Sequence, residues 1–144
     1  MADTSVQVGV EDWVRRNWMA ENYGAKFNRD RLTLRSGGIF DFDAVSEDSS
    51  IVAPISTSGA KTSGGKYATG KFMKIRSDIL FLTMVEAKHR IIVLTERDMF
   101  AQCEKEKAAV RIPPEIEFAF AEIPDEMNRR LIAAREKASN ESGG

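Results

Sequence analysis

Between Val10 and Ala20 the apolar residues Val10, Trp13, Val14 and Trp18 fall close to helical spacing, with Glu11, Arg15, Arg16 and Asn17 mainly on the other side. That pattern predicts an amphipathic helix, which Tyr23-Gly24 ends. Trp13 and Trp18, five positions apart, point in flanking directions on such a helix, and core packing is the reading adopted for them. The period then changes. Leu32 and Leu34 alternate with polar neighbours between Arg31 and Arg35, as in a half-buried strand, and Gly37-Gly38 turns the chain into a second strand from Phe40 to Ser46. Glu47-Asp48-Ser49-Ser50 makes a polar hairpin turn into a third strand, Ile51 to Thr57.

From Ser58 to Gly70 the chain is glycine, serine, threonine and lysine with almost nothing to bury, and it reads as a loop. Lys71 to Val85 resumes helical spacing through Phe72, Ile75, Ile79, Leu80, Leu82 and Met84. Arg90 to Thr95 is a short β-branched run, as expected of a strand buried on both faces. Arg97 to Val110 is a charged helix carrying Met99, Phe100 and Cys103, and after Pro113-Pro114 the stretch Ile116 to Ile123 alternates as a strand. Pro124-Asp125-Glu126 opens a last helix with acids at its positive end. The order α-β-β-β-α-β-α-β-α predicts an α/β fold, a mixed sheet of about five strands flanked by helices with later strands joined by crossovers. Residues 10–138 form the expected single domain, after a tail at 1–9 and before a small polar segment, 139–144, expected to fray.

Composition narrows this picture. A chain of 144 residues, 42% hydrophobic, suffices for one core and is short for two ordinary domains. A formal net charge of -1 excludes a globally basic nucleic-acid coat, but the charge is segregated. Ser49 to Ser77 holds no acid and five bases, Lys61, Lys66, Lys71, Lys74 and Arg76, whereas 11 acids face 8 bases from Glu96 onward. One basic face suited to phosphate is therefore compatible with a nearly neutral protein. Cys103 is the only cysteine, which excludes an intramolecular disulfide. The first residues carry no charged-then-apolar signal pattern, and no apolar run reaches bilayer length. The expectation is a soluble protein of the reducing cytoplasm, with no membrane partner.

Candidate chemistry centres on Gly38-Ile39-Phe40-Asp41-Phe42-Asp43-Ala44-Val45, where regular alternation sets Asp41 and Asp43 opposite Phe40 and Phe42. This segment and the element order over roughly Val10 to Val93 resemble the PD-(D/E)xK, or restriction-endonuclease-like, superfamily. The resemblance implies that Asp43, with Asp41 as neighbour and Glu11 from the first helix, holds a divalent metal, Mg²⁺. It also implies an acid and a lysine in the third strand. Pro54-Ile55-Ser56 stands at that place and supplies neither. Two readings follow: the missing functions have migrated, with Lys61 or Lys66 reaching back from the loop and Ser56 and Thr57 orienting water or phosphate, or the fold binds without cutting.

The glycine-rich loop is the second candidate, because converging amides at the start of a helix suit an anion. Thr57, Ser58, Lys61, Thr62, Ser63, Gly64, Gly65, Lys66, Lys71 and Lys74 are its candidate phosphate contacts. Ala60 to Tyr67 fails a nucleotide-binding P-loop at two fixed places, the first glycine and the hydroxyl after the lysine. His89, alone of its kind, reads as a surface residue, and Cys103 as a small core residue. The function expected is a restriction-endonuclease-like protein that engages nucleic-acid phosphates, with Mg²⁺-dependent cleavage at a migrated or degenerate site as its candidate chemistry. The alternative is a non-catalytic binding or protein-interaction module, acting as a homodimer or within a larger assembly.

Overall fold

The computed structural model describes residues 4–61 and 68–142. The first helix, α1 (Ser5–Trp13), passes through a π-helical segment (Val14–Met19) into the single-turn α2 (Ala20–Tyr23), and Gly24 ends it with φ 61°. The π turn follows from the apolar spacing. Val10 and Val14 are four apart, but the next buried residue, Met19, is five further on, and Trp13 and Trp18 show the same interval. A π turn bonds each residue to the fifth along, so it holds both sets on one face. Trp13 and Trp18 accordingly both pack against the core.

Strands β1 (Phe27–Thr33), β2 (Ile39–Ser46) and β3 (Ile51–Ala53) form an antiparallel meander. The third strand was expected to run unbroken to Thr57; Pro54, which has no N–H, interrupts it, and β4 (Ile55–Ser56) continues it. Both pieces pair in parallel with β5 (His89–Leu94) at the same offset, so the interruption leaves the register intact. β6 (Ile116–Phe120) pairs in parallel on the far side of β5 and completes a six-stranded mixed sheet. The protein is therefore an α/β fold, as its element order predicts. The hairpin between β2 and β3 turns through Ser49 at φ 61°. There the Asp48 carboxylate accepts bonds from the Ser50 amide and from the Ser46 and Ser50 hydroxyls, which hold its pKa down at about 2.

Helices α3 (Thr69–Thr83) and α4 (Arg97–Ala108) carry the crossovers and cover one face, while α1 and α5 (Asp125–Ser142) cover the other. α5 continues past Ala138, where a frayed tail was expected. The central strand β5 feeds both layers, with Ile92 and Leu94 packing under α3 and α4 and Ile91 and Val93 under α1 and α5. Arg90 closes α3, donating to the carbonyls of Leu82 and Val85 at 2.9 and 2.8 Å, where a cation also meets the negative helix end. Cys103 is fully buried, and burial pushes its thiol up to about 12, so it belongs to the core. His89 is exposed at the start of β5, 3.2 Å from Glu117. Among the described residues no helix is long and apolar enough to cross a membrane.

Candidate functional site

A β-bulge sits at the centre of β2. Asn28 pairs with Val45 and Asp30 with Phe42, so Arg29 alone stands opposite two residues, Asp43 and Ala44. Regular alternation would keep Phe40, Phe42 and Ala44 on one face. The bulge instead sends Ala44 to the α1 layer and Val45 to the α3 layer beside Phe42. The bulge also separates the two aspartates. Asp41 is exposed and held by Arg29, whose Nε and Nη2 donate to its two oxygens at 3.2 and 3.1 Å. Asp43 is half-buried, and its Oδ2 accepts from Ile55 N at 2.8 Å. That contact occurs just after Pro54, where the β2–β3 ladder stops. The carboxylate thus takes the place of a backbone acceptor.

α1 brings Glu11 to this point. Arg15, one turn further on, donates from Nε to the backbone carbonyl of Asp43 at 2.7 Å and ties the helix to the bulge. The Glu11 carboxyl is pushed up to about 7, first by burial and then by the Asp43 charge, against the opposing pull of Arg15, Arg29 and Lys74. On α3, Asp78 is only 5% exposed and receives Lys74 Nζ at 3.3 Å. Burial chiefly raises the Asp78 carboxyl; Lys74 lowers it, and Asp43 raises it further. Glu11, Asp43, Asp78 and Lys74 thus act on one another from three separate elements.

Lys74 is the lysine whose charge reaches Glu11. It was expected among the phosphate contacts, whereas Lys61 and Lys66 were expected to reach Asp43. Lys61 instead lines a separate cleft of about 370 Å³ with Thr95, Asp98 and Arg135, outside the carboxyl ends of the parallel strands. Thr62, Ser63, Gly64, Gly65 and Lys66 lie outside the described residues. The chain leaves and re-enters the described structure at one place, since Ala68 N donates to Ala60 O at 2.8 Å. Ala60 N in turn donates to Asp98 Oδ2 at 3.1 Å. Thr57 is buried, with its carbonyl accepting from Arg135, and Ser56 Oγ accepts from Ser58 N at 3.4 Å. Lys71 is exposed in the first turn of α3.

Ile55 packs in the α1 layer with Ala44, so the place beside Asp43 on that face is apolar. Among the described residues no group of three or more His, Cys, Asp or Glu side chains is arranged to hold a metal ion. Mg²⁺ can take as few as one or two carboxylates and complete its shell with water and substrate phosphate, a number that Glu11 and Asp43 would supply. The bulge, the π turn, Arg15 and Asp78 carry no period-based signature. The only sequence trace was the four-then-five spacing of Val10, Val14 and Met19. Comparison of the chain with protein-family models, curated proteins and solved structures finds no match in any of the three.

Proposed function

We propose that this chain is a restriction-endonuclease-like protein that engages nucleic-acid phosphate at the Glu11–Asp43–Lys74 cluster and cuts it with Mg²⁺. One observation carries the reading: carboxylates from α1 and from a bulge in β2 lie in each other's field, where the Asp43 charge helps hold the Glu11 proton to about pH 7. An acid perturbed by burial and by a like charge is a candidate for a functional site. The strand order, an antiparallel meander followed by a parallel fourth strand, is also what the superfamily resemblance leads one to expect.

Glu11 and Asp43 would hold the ion, which when bound neutralises phosphate oxygens and lowers the pKa of water. Asp43 is positioned by its bond from Ile55 N, and Arg15 fixes the distance between helix and strand. Glu11 must shed its proton to become a ligand, which makes cation binding stronger above about pH 7 than below it. Lys74, steadied by Asp78, offers its ammonium to the charge that develops on the phosphoryl group. It takes the part of the lysine missing from the third strand.

Asp43→Asn keeps an oxygen for Ile55 N and removes the charge. In a gel assay with a labelled oligonucleotide, wild-type protein with Mg²⁺ is expected to cut. The variant is expected to lose at least about 100-fold in rate, about 2.7 kcal/mol of barrier, while melting no lower. Unchanged cleavage by the variant contradicts the assignment. Pro54 at the place of the second acid favours a second reading, a binding module on the same fold. That protein would retain oligonucleotides in low salt and cut none.

A further inference from the structure

Beside Glu11, α1 and the π-helical segment leave a groove of about 1080 Å³ against the start of β1. The volume lies just above what small-molecule sites occupy, roughly 300–1,000 Å³, and suits an extended ligand. Small residues, Gly9, Gly24 and Ala25, line it, and a Cβ built on Gly9 meets nothing within 4 Å. Four cations, Arg15, Arg16, Lys26 and Arg29, line it together with the acids Glu11 and Asp12, and Arg15 is committed to the Asp43 carbonyl. Arg16 is offset by Asp12 at 2.9 Å, while Lys26 has no carboxylate in ion-pair range among the described residues. Arg29 also bonds to Asp41, which links the groove to the acidic strand. The single ring along it, Phe27, is 3% exposed and packed edge-on with Tyr23, so it offers no face on which a base could stack.

We infer that this groove carries one sugar-phosphate strand away from the Glu11–Asp43 site, held through its phosphates by Lys26, Arg29 and Arg16 and read at no base. The inference rests on the nuclease reading and adds to it the path and the chemical class of what is held. A surface of small residues admits the backbone closely, and cations without stacking partners bind sugar-phosphate independently of sequence. Lys74 then serves the scissile phosphate, and the α1–β1 groove its flank.

The test is fluorescence anisotropy with a short fluorescein-labelled single-stranded DNA, Ca²⁺ replacing Mg²⁺, across a salt series. Gly9→Met fills the groove without altering charge, and leaving glycine gains about 1 kcal/mol of helix propensity, so the variant should melt no lower. Its affinity is expected to fall at least about tenfold, or about 1.4 kcal/mol. Lys26→Gln should reduce the slope of log K against log salt by about 0.7, the signature of one phosphate contact on a single strand. Wild-type affinity and slope in both variants, with the Asp43→Asn defect in cleavage intact, overturn the groove alone. Absence of any binding by wild-type protein overturns the nuclease reading and the groove with it.

Discussion

Glu11 carries the clearest chemical signal at the level of single residues, and the signal has a sign that can be measured. Its carboxyl is held at about 7 by burial and the Asp43 charge, with Arg15, Arg29 and Lys74 opposing. The folded protein therefore binds the proton more tightly than the unfolded chain, where the pKa is 4.5. Ionising Glu11 disfavours the fold: the loss of stability is absent below the unfolded value, grows as pH rises toward about 7, and is complete above it. Glu11→Gln removes that loss. Its half-exposed setting screens the effect, so the expected gain is on the order of 2–4 °C in Tm at pH 8 and none at pH 4. Thermal melts at the two values decide it, and an equal shift at both contradicts the assignment of the pKa. The superfamily resemblance pointed to Glu11 and Asp43, because it implies an acid in the first helix and one in the second strand. Lys74 was less legible, since which lysine's charge reaches Glu11 depends on how α3 packs. Its neighbour Asp78 looked like an ordinary helix-surface acid and is buried.

Three departures of an element from its regular period lie next to the candidate site. The π turn begins three residues after Glu11, the bulge contains Asp43, and Pro54 stops the ladder opposite it. The π turn and the bulge each add one backbone position and Pro54 removes one backbone donor, and no template of period 2 or 3.6 registers such changes. The regular parts were legible for the same reason. Ile91 to Leu94 had to be a doubly buried strand, and Phe72, Ile75, Ile79 and Leu82 had to share one helix face. The start of β1 escaped because Asn28 to Asp30 are exposed and show no alternation. A further irregularity lies at the end of α4, where Val110 has φ 59° and is 87% exposed. A β-branched residue in the left-handed region is strained by roughly 1–2 kcal/mol, and glycine is not. After glycine's extra loss of chain entropy, Val110→Gly is expected to stabilise the fold by about 0.5–1 kcal/mol. Denaturant melts with an unchanged slope and a higher midpoint would bear this out; a lower midpoint would count against strain.

At the scale of the whole molecule, charge and topology act together. The acid-free stretch from Ser49 to Ser77 runs from the β2–β3 hairpin through β4 into α3, so one continuous segment brings Lys74 into the field of Glu11. Layering does the rest. α1 and α3 lie on opposite faces of the sheet, yet Glu11 from one and Asp78 from the other both feel Asp43, because the bulge turns that residue at the point where β2 and the broken third strand part. Fold class and layer order could be read from hydrophobic spacing, whereas this convergence across the sheet could not, since it depends on two irregular turns and one proline. The central claim is that Glu11 and Asp43 form a divalent-cation site. Isothermal titration of the protein with Mn²⁺ at pH 8 and pH 6 tests it most directly. The account predicts saturable binding at pH 8 that weakens at pH 6 and is lost in Asp43→Asn; no binding by the wild-type protein at pH 8, or binding that survives in Asp43→Asn, contradicts it.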